Sequence, residues 1–549
     1  MRNINLRYVD ESYDEFGVLK SFKLKYPDNF NFGYDVVDDI AINDPHRKAL
    51  VWCNPEGEER IYTFADIKRL SDKTANYLRS LGIEKGDKVI VILKRHYQFW
   101  YTSVALHKLG AIMIPVTFMI TAHDAEYRIN AASVKAVICT GEGHAAQAID
   151  DVLNICPSLS VRIMAHGHKE GWSDFDKGVQ LADEYFERVE THVKEPLLMY
   201  FSSGTSGYPK MVLHNHTYSL AHLLTAKHWH NVHPEGLHLT IADTGWGKAV
   251  WGKLYGQWLM EAAVFAFDYD KFNAAEILSL IPKYKITTLC CPPTMFRFFI
   301  KEGLEKFDLS SLTYATTAGE ALNPDVFETW YKVTGLKLME GFGQTETILA
   351  VCNLVNMQPK PGSIGKPSPL YEIDLLDTDG NVCPTGVTGE ICIKISNRYP
   401  DGLMDCYYRN KEMTDCTIYN GYYHTGDTAW KDEDGYLWYV GRNDDIIKSS
   451  GYRIGPFEIE SVLNSHPKVL ESAVTGVPDE IRGQIVKATV VLAKGYSPSP
   501  ELVKELQDFV KHETAPYKYP RVIEFVRELP KTVNGKIRRA AIRERDRQA

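Results

Sequence analysis

The stretch from Tyr200 to Lys210 reads Tyr-Phe-Ser-Ser-Gly-Thr-Ser-Gly-Tyr-Pro-Lys. These residue types suit one task, holding phosphate. Gly204 and Gly207 let backbone N–H groups close on phosphate oxygens, and consecutive amides form an anion-binding nest. Ser202, Ser203, Thr205 and Ser206 add hydroxyl donors, and Lys210 adds a mobile positive charge. The spacing is not that of a Walker loop, which needs Gly-x-x-x-x-Gly-Lys followed by Ser or Thr. Taken alone, the string also fits a flexible Gly/Ser loop.

Four more strings carry polar groups at telling positions. Thr-Ala-Gly-Glu-Ala at 317–321 is followed by Glu-Gly-Phe-Gly-Gln-Thr-Glu at 340–346. Phe342 offers an aromatic face, Thr345 a hydroxyl, and Glu346 a carboxylate of the kind Mg²⁺ takes alongside phosphates. A helix N-terminus with a capping pair is the plainer reading of that string. Tyr-His-Thr-Gly-Asp-Thr at 423–428 precedes Gly-Arg-Asn-Asp-Asp at 441–445. Its Asp427 suits a ribose, whose two hydroxyls an acidic side chain can accept, or simply a turn. Residues 448–460 make a Gly-rich turn before a helix. Near the end, Asn534-Gly535 makes a tight turn that projects Lys536.

Together these five strings resemble, in order, the signatures of the adenylate-forming superfamily: acyl-CoA synthetases, peptide-synthetase adenylation domains and luciferases. The resemblance runs from about residue 50 to residue 540. It implies that residues 202–207 and Lys210 hold the ATP phosphates. It implies that Gly319, Glu320, Glu340, Gly341, Phe342, Gly343, Gln344 and Thr345 surround adenine and the α-phosphate. Glu346 would hold Mg²⁺, and Asp427 and Arg442 the ribose or phosphate. Lys536 would meet the acid carboxylate and α-phosphate, so Lys536, Thr345 and Lys210 are the expected catalytic set. Ser450, Gly451 and Tyr452 would line the path of coenzyme A. Its phosphates would fall to Arg482, Tyr519, Pro520 and Arg521, or those basic groups are ordinary solvated surface. Trp246, Gly343 and Arg453 would border the acyl group.

Trp246 and the segment 450–456 are most similar to the medium-chain acyl-CoA synthetase branch. Acetyl-CoA synthetases carry a bulky tryptophan at the place of Gly343, so the glycine implies room for a longer, branched or aromatic acid. Val116 and Phe118 are further candidates for the pocket wall. His216, like His214 just after the phosphate loop, fits either a pocket-facing or a structural role. Within the superfamily, an aryl-CoA ligase and a carrier-loading adenylation enzyme are the rival readings. A nucleotide sensor without catalysis is a third, though every expected polar residue is present.

The elements that must position these residues are legible. Residues 88–93, 134–139, 197–201, 264–267 and 286–291 are short apolar runs that read as buried strands. Helices are expected from Phe64, capped by Thr63, to Leu81, and from Pro324, capped by Asn323, to Gly335. Strand–helix alternation predicts parallel sheets covered by helices. After about residue 362 the dipeptides Asp379-Gly380, Asp401-Gly402, Asn420-Gly421 and Asp434-Gly435 announce a β-rich subdomain. From about 444 a short mixed pattern follows: helices at 456–465 and 500–513, strands at 471–477, 485–493 and 521–527. The expected fold is therefore α/β, a large N-terminal domain of helix-covered sheets with a β-rich subdomain, plus a small mobile C-terminal α+β domain. The resemblance puts the boundary between 1–443 and 444–549, with the hinge near Asp444.

Bulk properties exclude other classes. The 549 residues carry 62 Lys and Arg against 71 Asp and Glu, a net charge of −9, which disfavours broad binding to nucleic acid or anionic membrane. The longest apolar stretch, 109–120, is interrupted by Pro115 and Thr117 and falls well short of the roughly 20 residues a membrane span needs. The first residues are charged and have no apolar core, unlike a secretory signal. The ten cysteines form no Cys-x-x-Cys pair and are expected to be reduced thiols in a cytoplasmic protein.

Overall fold

The computed structural model describes residues 3–202, 209–449, 452–479, 482–515, 517–531 and 537–548. Ser203, Gly204, Thr205, Ser206, Gly207, Ser450, Gly451 and Lys536 lie outside the described residues.

Thirteen strands frame the two large sheets. They are β1 (Lys48–Cys53), β2 (Lys88–Ile92), β3 (Ile112–Pro115), β4 (Ala136–Thr140), β5 (Val161–Ala165), β6 (Pro196–Ser202), β7 (Lys210–Asn215), β8 (Leu237–Thr240), β9 (Ala263–Phe267), β10 (Thr288–Cys291), β11 (Tyr314–Ala318), β12 (Leu338–Gly343) and β13 (Leu349–Cys352). The first sheet has the central order β7-β6-β3-β2-β4-β5, the second β13-β12-β11-β10-β8-β9-β1. Both are parallel through the middle, and the pairs β6–β7 and β12–β13 are antiparallel. Central parallel strands are covered on both faces, which is why they read as near-continuous Val, Ile and Leu.

Helix α1 (Phe64–Ser80) starts on a full capping box: the Thr63 side chain accepts from the Asp66 N–H while Asp66 accepts from the Thr63 N–H. Helix α2 (Gln98–Leu109) is buried on every face, as a helix enclosed by other elements must be. Its Lys108 is wholly buried and offsets that by ion pairs at 2.7 Å to Asp38 and 2.6 Å to Asp72. Helix α3 (Gly247–Lys253) follows the Trp246 loop, and α4 (Pro324–Thr334) opens on the Asn323 cap and stops at Gly335.

A third sheet supplies the β-rich subdomain and includes β14 (Gly389–Lys394), β15 (Tyr422–Lys431) and β16 (Leu437–Arg442). β15 and β16 form the hairpin expected around Asp434-Gly435, where Gly435 takes the left-handed φ of 84°. The C-terminal part is α+β. β17 (Ile447–Ser449), β18 (Tyr452–Ile454), β19 (Val469–Asp479), β20 (Gly483–Leu492) and β21 (Val522–Phe525) form its sheet, against which α5 (Pro456–Ser465), α6 (Pro500–Glu513) and α7 (Arg539–Gln548) are arranged. Its apolar core is separate, built on Ile447, Ile459, Val474, Val486 and Leu506. No helix of the described residues is long and apolar enough to cross a membrane.

Glu340, in the middle of β12, is 3% exposed. Its Oε1 accepts the Leu322 N–H at 3.0 Å. Burial, only partly offset by that bond, pushes its carboxyl up from 4.5 to about 8. The folded chain then keeps a proton that the unfolded chain has lost. Stability is full below pH 4.5 and falls as pH rises towards 8, by at most about 1.4 kcal/mol per pH unit. Glu340→Gln keeps an acceptor for Leu322 without the titration. Urea unfolding at a series of pH values from 5 to about 9 will show the variant gaining on the parent as pH rises; a constant difference would contradict the assignment.

Candidate active site

The two ends of the phosphate-type loop are fixed side by side. Ser202 closes β6 and Lys210 opens β7, and they are cross-strand partners. A Tyr127 hydroxyl holds the Pro209 carbonyl at 3.0 Å. A strand pair therefore fixes both ends of the loop. The Lys210 ammonium lies 5.0 Å from the centre of the Tyr407 ring, a cation–π distance.

Residues 344–346 form the junction of all three large sheets. From the first sheet, the buried His214 on β7 places Nε2 2.8 Å from the Thr345 carbonyl. Burial lowers His214 to about 4, so the ring is neutral and its Nε2–H donates. From the same sheet, the Tyr407 phenol donates to Glu346 Oε1 at 2.9 Å. Toward the third sheet, Gln344 Nε2 donates to Asp427 Oδ2 at 2.5 Å and to the Thr425 carbonyl at 2.8 Å, and Gln344 Oε1 accepts from Tyr423 at 2.6 Å. Asp427 also accepts from the Tyr439 hydroxyl at 2.8 Å and pairs in register with Arg442. Arg442 Nε lies 3.2 Å from Asp444, just before the C-terminal sheet begins.

The remaining expected nucleotide contacts divide in two. Gly319 is exposed with φ 100°, and no atom lies within 4 Å of where a Cβ would stand. Glu320 accepts from Thr294 at 2.7 Å. Phe342 is half-buried, its ring 6.1 Å from that of Tyr439, which in turn meets Phe457 of α5. The Glu340 carboxyl, by contrast, is enclosed and committed to Leu322. Gly341 is explained by packing, since a Cβ would stand 2.7 Å from Leu349 and 2.9 Å from Trp229.

Gly343 requires a correction. The glycine was expected to leave an empty pocket floor. A Cβ there would stand 2.5 Å from Trp251 Cη2 and 2.4 Å from the Ile348 carbonyl. The edge of the Trp251 indole fills the volume that the glycine frees, and its Nε1 points to the Tyr218 hydroxyl at 3.3 Å. The Trp246 loop is seated by Gly245, whose missing Cβ would fall 2.2 Å from the Thr117 N. Half-buried Lys248, one turn on, donates to the Ala318 carbonyl at 2.7 Å. His216 is 1% exposed, in keeping with a structural place.

In the C-terminal part, Tyr452 is exposed and its ring stacks on Tyr517 at 4.0 Å. Tyr519 lies between Lys511, 4.3 Å away, and Arg521, 4.9 Å away. The Pro520 carbonyl accepts from Gln507 at 3.0 Å, and the Arg482 N–H donates to Asp479 at 2.8 Å. The backbone of Arg453 pairs with Lys448. The segment bearing Lys536 is closed by a bridge between Lys531 and Ile537 and by Arg538 N–H to the Pro530 carbonyl at 2.8 Å. Sequence patterns did not disclose Tyr407, Tyr439 or Trp251 as site residues, and they gave no partner for His214, which follows the phosphate loop, or for Tyr423, which opens the string at 423–428. Their roles arise from contacts between sheets.

Comparison with known proteins shows the family. The family model described as "AMP-binding enzyme" matches residues 37–408, and that described as "AMP-binding enzyme C-terminal domain" matches 458–536. Acyl-coenzyme A synthetase ACSM4, mitochondrial, of Rattus norvegicus is 40% identical over 97% of this chain and 93% of its own length. Acyl-coenzyme A synthetase ACSM3, mitochondrial, of Homo sapiens is 40% identical over 99% and 94%. Among solved structures, the anthranilate CoA ligase AuaEII in complex with anthranoyl-AMP superposes with a TM-score of 0.87 at 28% identity, over 95% of this chain and 98% of that one. The acyl-CoA synthetase of Brucella canis superposes with a TM-score of 0.71 at 31% identity, over 95% and 96%. The chain belongs to the AMP-binding enzyme family and, within it, to the acyl-coenzyme A synthetases, acid–thiol ligases of the adenylate-forming type.

Proposed function

We propose that this chain joins a small-to-medium carboxylic acid, medium-chain or branched, to ATP as an acyl-adenylate and then hands the acyl group to coenzyme A. The observation that supports the reading is the junction at 344–346, where Glu346, our candidate for Mg²⁺, and Asp427, our candidate for the ribose, are held by one three-residue segment. In the first step a carboxylate oxygen attacks the α-phosphorus and the bond to pyrophosphate breaks. Positioning and electrostatics suffice for such transfer, without a covalent enzyme intermediate. Lys210 and the loop before it hold the leaving pyrophosphate. The Thr345 hydroxyl and Lys536 address the attacked centre, where charge redistributes. Asp427 and Arg442 hold the ribose. Glu346 fits a Mg²⁺ ligand: Tyr407 fixes one carboxylate oxygen, and among the described residues the other has no hydrogen-bond partner. The ion supplies charge neutralisation across the phosphates.

In the second step the coenzyme A sulfur attacks the acyl carbon and AMP leaves. A free thiol has a pKa of about 8.5, so its thiolate fraction serves without a dedicated base. In our reading residues 444–549 turn about Asp444 between the steps. Lys536 faces the site for the first, and Ser450, Gly451, Tyr452 and Arg453 for the second. The Lys511–Tyr519–Arg521 stack and Arg482 suit the nucleotide phosphates of coenzyme A.

Trp251 sets the depth of the acyl pocket in this reading, with Trp246 as a wall. An aromatic acid is the second reading, favoured by the superposition on a ligase of anthranilate. The relatives named above are called mitochondrial. For this chain, ten free thiols support a reducing compartment, the cytoplasm in our reading.

Three measurements test these assignments. Isotopic pyrophosphate exchange with acids from acetate to dodecanoate, 2-methylbutyrate and benzoate will peak on an acid larger than acetate; no exchange with any acid would defeat the reading. Lys536→Ala will lose exchange while forming thioester from supplied acyl-adenylate, whereas equal loss in both half-reactions would remove Lys536 from the first step. Trp251→Ala will move the optimum of kcat/KM to longer acids, at about 0.8 kcal/mol for each added buried methylene. An unchanged optimum would show that the indole is not the floor.

A further inference from the structure

A second cluster of chemistry-bearing groups sits away from the nucleotide site, at the C-terminal edge of the first sheet. His96 follows β2, Glu142 follows β4 and His166 follows β5, three neighbouring parallel strands. Loops beyond the carboxyl ends of parallel strands are where open α/β sheets hold ligands. One ligand atom from each of the three residues lies within 4.8 Å of the other two.

The histidines are arranged as ligands. His96 is 1% exposed. Its Nδ1 is 2.6 Å from Asp268 Oδ2, on the loop after β9 of the second sheet. A carboxylate on Nδ1 fixes the tautomer and leaves Nε2 as the electron-pair donor, the outer-shell support typical of a metal-ligating imidazole. That Nε2 is 2.8 Å from Thr140 Oγ1 and 3.9 Å from Glu142 Oε2. The His166 ring stacks on His96 with centroids 4.0 Å apart. His166 Nε2 is buried without a hydrogen-bond partner, and so is Oδ1 of Asp268, itself 6% exposed. Buried polar atoms are rarely left so, and each costs free energy.

The surroundings favour a cation. The cluster opens on a cavity of about 910 Å³ lined by six carboxylates and three lysines, a poor setting for the phosphates of ATP or coenzyme A. One of those lysines, Lys94, touches Glu142 and also lies 2.6 Å from Asp270. It therefore retains a carboxylate when Glu142 turns inward. Glu142 is exposed enough to move, with 46% of its side chain accessible.

We propose that His96, Glu142 and His166 form a binding site for a divalent transition cation of the Zn²⁺ class, distinct from the Mg²⁺ that accompanies ATP. Two imidazoles and one carboxylate suit Zn²⁺ and leave a fourth position for water, whereas Mg²⁺ selects oxygen ligands. The site borders the acyl wall. The Thr244 hydroxyl donates to the Lys94 carbonyl, and Arg95 pairs with Asp243 at 3.4 Å. Both partners belong to the loop that ends at Trp246, so cation binding steadies the segment on which that loop rests.

Co²⁺ is the probe, added to the full-length protein after chelator treatment. One equivalent will bind saturably with a visible d–d absorption band. Zn²⁺ will displace it and excess Mg²⁺ will not. His166→Gln and Glu142→Gln will each weaken Co²⁺ binding at least tenfold while leaving pyrophosphate exchange with ATP and Mg²⁺ intact, which also shows that the variants are folded. X-ray absorption of the Zn²⁺-loaded parent will show two imidazoles and no sulfur ligand. Equal Co²⁺ affinity in parent and variants, no saturable binding, or a sulfur ligand would each overturn the proposal.

Discussion

The side-chain amide of Gln344 is the interaction on which the arrangement of the nucleotide site depends. It donates to Asp427 and Thr425 and accepts from Tyr423, so the second sheet is tied to the third through one side chain. One residue on, the Thr345 carbonyl is tied to the first sheet through His214, and the next, Glu346, through Tyr407. Among the described residues the three sheets share no continuous hydrogen-bond ladder here. Three consecutive residues and their buried partners replace it. Buried hydrogen bonds between sheets hold these groups in a fixed relation, and fixed placement is what transfer chemistry at phosphorus demands.

The same economy explains what surrounds the junction. Gly341 and Gly343 are small because Trp229 and Trp251 press on them, and Gly245 because residues 116–117 do. Around the junction, tryptophans are therefore seated on glycines. The C-terminal unit has its own core and meets the large unit near β16 through Tyr439 and Phe457 and through Asn323, which donates to the Ser461 carbonyl at 3.2 Å.

Much of this was legible in the sequence, for physical reasons. Thr63 marked the start of α1, Asn323-Pro324 and Gly335 bracketed α4, and Asp434-Gly435 marked the turn between β15 and β16, because caps and turns are local. The expected strands emerged from apolar runs, since strands buried on both faces admit little else. What sequence could not disclose was partnership at long range. Nothing near His214 points to residue 345, 131 positions on, and nothing near Gly343 says that Trp251 fills its space. The glycine was read as an opening because a missing side chain and a space filled from elsewhere look alike in one dimension. Glu340 stood in the motif beside true candidates, and only its enclosure separates it from them.

The central claim is that one site makes an acyl-adenylate and then discharges it to coenzyme A. A single-turnover reaction with the purified chain, ATP, Mg²⁺ and its preferred acid, quenched and resolved by mass spectrometry, tests that most directly. The account predicts acyl-AMP and pyrophosphate in amounts matching the enzyme before coenzyme A is added, and acyl-CoA with AMP after it. Formation of ADP and phosphate, or an acyl-AMP that persists when coenzyme A is supplied, would contradict it.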